Sequence, residues 1–305
     1  METFVPLYIS NYCDSHCLMC NFNHENKQLM RKTAAEEEII QQLKMIRDYE
    51  KITAVCILTG EVFGEEKRMK NLQLVCTAMN HALSLRFEQV FFNIGSLSCH
   101  EINFLKENLS DCSKIVLSLF QETYDKQAYA HYFGTSADSN PKADYQNRID
   151  TVDRWLDAGF QMIDIGILLG FKPINDDITQ LISYAQHYHD RKAQVYISTP
   201  RIKNGCIDDT EYLHILHQIH NTLPWAKLIV TTREKINFIN QNINLFSVVS
   251  PGSSDICPYH EGEFISNCKE TSQFVIDEKR MRPYTVLKKL HFQEKIRFFN
   301  DTEKL

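Results

Sequence analysis

Eight short apolar runs of strand type, separated by polar or amphipathic stretches of helix type, constrain this 305-residue chain more than any other feature. The runs cover residues 4–10, 52–59, 89–95, 114–120, 162–169, 194–199, 226–231 and 245–250. Helix-type stretches begin near Ala34, Lys67, Cys99, Asp144, Asp177, Asp209 and Lys235. Acidic residues crowd the first turn of several, where the helix dipole favours them. Strands alternating with helices build parallel sheets with right-handed crossovers, and eight strands are the number that closes a barrel. The expected fold is therefore α/β, a parallel (βα)8 barrel of TIM type, with an open doubly wound sheet as the alternative. Both place functional residues at the C-terminal ends of the strands. No Gly/Ser-rich or Pro-rich linker breaks the chain. The expected division is a barrel over residues 1–260 and a short, charged C-terminal tail over 261–305 that packs on it.

Composition excludes several function classes. A hydrophobic share of 43%, with 18 Phe, 13 Tyr and 2 Trp, is that of a packed protein rather than a disordered one. A net charge of −6 with no basic tract argues against a nucleic-acid surface and against anionic membranes. No apolar run has the length of a membrane span, and the N-terminal residues lack the pattern of a signal peptide. The expected location is the cytoplasm. There, ten cysteines point to metal, redox chemistry or burial rather than to disulfides.

Seven cysteines are scattered, whereas Cys13, Cys17 and Cys20 fall in one stretch, C-x3-C-x2-C, just past the first strand. A tetrahedral zinc site wants four ligands, commonly in two pairs, and no second pair stands at a suitable distance. His16 or His24 could complete such a site, so a zinc staple in a binding module stays open as a non-enzymatic reading. Three thiolates can instead hold a [4Fe–4S] cluster and leave one iron without a protein ligand, the open position that catalysis needs.

C-x3-C-x2-C followed by the aromatic Phe22 resembles the radical S-adenosylmethionine (SAM) superfamily. The resemblance implies a [4Fe–4S] cluster on Cys13, Cys17 and Cys20, with the open iron chelating the amino and carboxylate groups of SAM. The reduced cluster then cleaves SAM to methionine and a 5′-deoxyadenosyl radical. Five further stretches resemble the aromatic amino-acid lyase branch, which includes 2-iminoacetate synthase and the tryptophan lyase that makes 3-methyl-2-indolic acid. Leu58-Thr59-Gly60-Glu61 ends the second strand, and Thr59, Gly60 and Glu61 are expected around the SAM amino group. Glu122, after the fourth strand, is expected at the SAM ribose. Arg148 is carried over as partner of the SAM carboxylate, because a guanidinium can bind it bidentately. Arg154, nearby, is expected in a surface ion pair.

Tyr196-Ile197-Ser198-Thr199-Pro200-Arg201 resembles the branch's S-x-P-R segment, but Lys203 and Asn204 stand where the family continues with Arg and Pro. Arg233 after the seventh strand and Ser250 at the eighth match the residues that hold the substrate carboxylate, and Tyr8 matches a pocket tyrosine. The implied reaction is hydrogen abstraction from the amino group of an aromatic amino acid, followed by carbon–carbon cleavage at Cα. Tyrosine, giving 2-iminoacetate and p-cresol, is the first expectation. A tryptophan-lyase-like reaction and other radical SAM chemistry, such as biotin-synthase-like sulfur insertion, are the alternatives.

The implied partners are the amino acid and a reducing protein of flavodoxin or ferredoxin type. Cys257 and Cys268 lack a third companion for a second cluster. The helical extension usual before the first strand of this branch is not seen, so a partner protein covering that part of the barrel is also expected.

Overall fold

A computed structural model describes residues 1–171, 175–202, 207–231, 234–252, 255–262, 281–291 and 293–299. The eight strands are β1 (Glu2–Tyr8), β2 (Ala54–Leu58), β3 (Gln89–Asn93), β4 (Ile115–Ser118), β5 (Met162–Gly166), β6 (Gln194–Ser198), β7 (Lys227–Thr231) and β8 (Val248–Ser250). They close into a barrel in sequence order, every neighbour is parallel, and β8 returns to β1. The open-sheet alternative is therefore set aside. The strands stop at or slightly before their expected ends. The last residues of several apolar runs leave the ladder to become the loops that carry polar groups.

The described residues also form nine helices: α1 (Glu36–Lys44), α2 (Glu65–Ser84), α3 (Cys99–Asn108), α4 (Lys126–Phe133), α5 (Tyr145–Asp157), α6 (Asn175–Asp190), α7 (Asp209–Thr222), α8 (Ile236–Gln241) and α9 (Pro283–Lys288). Four of the starts are fixed by side chains. Ser98 and Glu101 form a capping box at α3, and Asp125, Asp144 and Asp208 each accept from a backbone N–H at the start of α4, α5 and α7. Helix α4 was not expected from the sequence. It is eight residues long and follows β4 before the longer α5, so its period is too brief to stand out. No described helix is long and apolar enough to cross a membrane.

Inside the barrel, alternate strand residues point inward. Phe4, Ala54, Cys56, Phe91, Val116, Met162, Tyr196, Ile229 and Val248 form one apolar layer. Below it, the Tyr196 hydroxyl accepts from Gln89 Nε2 at 2.6 Å and Gln194 Nε2 at 2.7 Å and donates to Glu2 Oε2 at 3.1 Å. Lys227 Nζ reaches Glu2 Oε1 at 2.6 Å, so the polar groups of this plug satisfy one another. The N-terminal end is further covered by residues 281–291 and 293–299. Buried Glu50 accepts from Arg282 Nε at 3.0 Å and from Tyr284 N at 2.9 Å. Arg297 N and Phe299 N donate to the carbonyls of Met1 and Lys51. The opposite end, where the strands finish, holds a cavity.

Trp155 shows how the helices are fastened to the barrel. It is fully buried on α5, stacks on Phe160 with ring centroids 3.6 Å apart, and donates from Nε1 to the Met162 carbonyl at 3.1 Å. Trp155→Ala removes that packing and that hydrogen bond. It should cost about 3–5 kcal/mol, read as a lower urea midpoint with unchanged slope.

Candidate active site

The inward side chains above the apolar layer enclose a cavity with about 1490 Å3 of empty volume, counting its mouth. It lies at the C-terminal ends of the strands. Of the twelve residues expected in the site, eleven line it: Tyr8, Cys13, Cys17, Cys20, Phe22, Thr59, Gly60, Glu61, Glu122, Arg148 and Ser250. The twelfth, Arg233, lies outside the described residues, as do Lys203 and Asn204.

The cysteine loop leaves β1 and folds back over the barrel mouth. Arg31 holds it from below, donating to the carbonyls of Asn11 at 2.5 Å, Phe22 at 2.9 Å and Asn23 at 2.8 Å. Asp14 N donates to the Glu61 carbonyl at 2.9 Å, joining the loop to the end of β2. Gly60 makes this crossing possible, since a Cβ there would lie 2.2 Å from the Tyr12 carbonyl oxygen and 2.5 Å from Cys13 Cβ. Phe22 packs edge-on against Tyr8, with ring centroids 5.4 Å apart.

Burial pushes all three thiols up, Cys20 to about 11, and at Cys17 and Cys20 the neighbouring cysteines add repulsion that Lys142 opposes. Three thiolates here therefore call for bound positive charge. A buried serine hydroxyl, Ser15 Oγ, also lines the cavity without a hydrogen-bond partner. Donor chemistry and an orphaned hydroxyl on one loop fit an iron–sulfur cluster. Among the described residues, no three His, Cys, Asp or Glu side chains surround a point that could hold a single ion. His16 and His24 stack on each other and face the surface carboxylates Glu25 and Asp14.

Two buried ion pairs flank this loop. Glu61 accepts from Ser96 N at 3.1 Å and faces Arg148 Nη1 at 3.3 Å. Arg148 also donates from Nε to the Phe120 carbonyl at 2.6 Å. Gly95 is needed for this placement: its φ is +88°, and a Cβ would lie 2.0 Å from Glu61 Cδ. Glu122, itself left-handed at φ +71°, pairs with Lys142 Nζ at 2.5 Å. A buried non-glycine residue in that region is strained, a condition concentrated at functional sites. Lys142 was not singled out in the sequence, because it sits in a single 3-10 turn, Pro141–Ala143, with no motif around it. Arg154 corrects another expectation. Among the described residues it makes no ion pair; it donates to the carbonyls of Leu97 and Asn147, tying α5 to the loop after β3.

On the far wall, Ser250 and Thr231 pair in register at the ends of β8 and β7. Arg201 does not enter the cavity. It is bound by Glu234 through both carboxylate oxygens and lies over the Tyr212 ring at 4.7 Å, bracing the chain after β7 beside the end of β6. A further group escaped the sequence reading. Asp164, on β5 and 1% exposed, accepts from Ser118 Oγ at 2.7 Å and Ser198 Oγ at 3.0 Å and lines the cavity. Burial lifts its pKa from 3.8 to about 7 against the two serine hydrogen bonds, which lower it.

No protein-family profile matches the chain. It is similar to 2-iminoacetate synthase of Escherichia coli (strain K12), 26% identical over 274 residues, covering 82% of this chain and 67% of that protein. The 2-iminoacetate synthase of Salmonella typhimurium (strain LT2) is 24% identical, covering 95% of this chain and 75% of that one. Among solved structures, the FeFe-hydrogenase maturase HydG from Carboxydothermus hydrogenoformans superposes with a TM-score of 0.75 at 26% identity, covering 88% of this chain. The chain spans 63% of that maturase's length. Methylornithine synthase (PylB), at 17% identity and a TM-score of 0.69, shares the fold.

Two outcomes follow from the charges. Arg148→Met leaves a buried carboxylate facing no cation and should cost about 3–5 kcal/mol, most of it regained when Glu61→Gln is added, as a double-mutant cycle by urea denaturation will show. Asp164 titrates higher folded than unfolded, so the native state holds the extra proton between about pH 4 and pH 7 and stability falls as pH rises through that window. Asp164→Asn should flatten that fall, seen by comparing urea midpoints at the two pH values.

Proposed function

We propose that the chain is a radical SAM enzyme of the tyrosine-lyase branch, a reading its similarity to the 2-iminoacetate synthases and to the maturase supports, and that it cleaves an aromatic amino acid at Cα, with L-tyrosine giving 2-iminoacetate and p-cresol. The observation that carries this reading is the meeting of three loop thiols, two buried carboxylate–cation pairs and the Tyr8–Ser250 wall in one cavity at the strand ends.

Cys13, Cys17 and Cys20 would hold a [4Fe–4S] cluster, and Ser15 could donate to it. When bound, the cluster and SAM supply the one-electron cleavage that generates a 5′-deoxyadenosyl radical. The Glu61–Arg148 pair is the right kind of receptor for the methionine end of SAM, because that end is a zwitterion. The carboxylate would take the ammonium, the guanidinium would take the carboxylate, and each already has a backbone partner to hold its orientation. Thr59 and Gly60 would bring the β2 turn close to the same ammonium. Glu122, neutralised by Lys142, would accept from the ribose hydroxyls.

Ser250 would donate to the substrate carboxylate together with Arg233. Tyr8 and Phe22 would cover the reacting end and keep water out, which matters when a carbon radical can attack almost any nearby C–H or N–H bond. A reduced protein of flavodoxin or ferredoxin type would supply the electron, and the cytoplasm would keep the thiols free. Residues 1–260 would carry this chemistry as the barrel, and 261–305 would serve it as a tail.

Anaerobic reconstitution with iron and sulfide, followed by SAM, dithionite and L-tyrosine, should yield 5′-deoxyadenosine and p-cresol. Alanine at Cys13, Cys17 or Cys20 should remove the iron and both products. Arg233→Ala should lower p-cresol formation while sparing substrate-free SAM cleavage. Absence of 5′-deoxyadenosine with every aromatic amino acid would end the lyase reading, and 3-methyl-2-indolic acid from tryptophan would move it to the other substrate.

A further inference from the structure

The cavity holds one charged group that the proposed chemistry does not use. Ser118, Asp164 and Ser198 stand on adjacent strands β4, β5 and β6, and Ser118 and Asp164 are partners in the register. Both serines donate to the Asp164 carboxylate, one to each oxygen. An ionised carboxylate offers about four acceptor sites, so two remain. No Lys, Arg or His among the described residues pairs with it, and Cys56, Phe120, Thr231 and Ser250 line the same cavity. Leaving a buried acceptor unfilled is costly. Two serine donors also hold the carboxylate in one orientation, which is what selective recognition requires.

We propose that Asp164, oriented by Ser118 and Ser198, is the specificity-determining acceptor of this pocket, taking a hydrogen bond from a donor at the far end of an aromatic substrate, the phenolic hydroxyl in the case of tyrosine. The inference rests on the lyase reading for the identity of that substrate. Its geometry explains a selection that apolar walls cannot make. An apolar slot binds phenyl and hydroxyphenyl rings almost alike, whereas a buried acceptor penalises the ring that leaves it unpaired. In this low-dielectric site a hydrogen bond to the ionised carboxylate is stronger than in water, and an incoming donor favours that ionised form against the burial that opposes it.

The test separates binding from turnover. Cluster-reconstituted protein is titrated by calorimetry with 4-methylphenol and with toluene, and is assayed with SAM, dithionite and either L-tyrosine or L-phenylalanine. Wild type should bind 4-methylphenol about tenfold or more tightly than toluene. Asp164→Leu should lose that preference, and Asp164→Asn, of nearly the same shape, should retain part of it through its amide oxygen. Far-UV circular dichroism and iron content should match wild type in both variants, which shows that they fold and load the cluster. A preference absent in wild type, or surviving intact in Asp164→Leu, overturns the assignment. If tyrosine turns over while the preference ignores Asp164, the inference fails and the lyase reading stands. If the preference depends on Asp164 while no aromatic amino acid turns over, the lyase reading fails and the acceptor site stands.

Discussion

The two-residue period of a closed barrel decides what this protein can place where. Each strand sends alternate side chains inward, so a single step of two residues along a strand moves from the packed layer to the cavity. Cys56 is followed by Leu58, Val116 by Ser118, Met162 by Asp164, Tyr196 by Ser198, Ile229 by Thr231 and Val248 by Ser250. On five of these six strands the step is from apolar or plugged to polar. The floor therefore excludes water while the wall above it carries hydroxyls and a carboxylate, and no loop is needed to build that wall. A one-residue slip in any strand would turn its pair outward among the helices.

Above the strand ends, the loops add what strands cannot. A thiol triplet has to wrap one object from one side, which needs a short loop free of strand geometry. Gly60 and Gly95 let that loop and Glu61 approach closer than any side chain at those positions would permit. The glutamate is then held by Ser96 and Arg148, and the arginine by the Phe120 carbonyl, so residues from the ends of β2, β3 and β4 and from α5 are fixed relative to one another. Orientation at a site of this kind depends on such supporting contacts more than on the contacting groups themselves.

Much of this was legible in the sequence, for reasons that differ by residue. The eight strands announce themselves because each is buried on both faces and reads as an apolar run, and the cysteine triplet because its spacing is compact. Glu61, Glu122 and Ser250 close or follow such runs, and the family resemblance is what picks them out there. Asp164 was not. It lies inside the run 162–169, where one acidic residue among apolar ones looks like an interruption and its two serine partners are 46 and 34 residues away. Lys142 is found only through its contact with Glu122, twenty residues back. Arg154 and Arg201 show the reverse error available to any motif reading, since an arginine near a strand end can serve the scaffold by binding carbonyls or a neighbouring carboxylate.

Charge accounting joins these parts. Glu61 with Arg148, Glu122 with Lys142 and Glu234 with Arg201 are neutral as pairs, each partly or fully withdrawn from water. What remains unbalanced among the described residues of the cavity is negative: three thiols that must ionise to bind metal, and Asp164. Burial opposes ionisation of all four, visibly in the upward displacement of each. A cavity so arranged is unfavourable toward anions and favourable toward iron, a sulfonium and hydrogen-bond donors. The neutral pairs set the positions, and the unpaired negative groups set the appetite. The same low-dielectric surroundings that raise the cost of the empty site strengthen each interaction once it is filled.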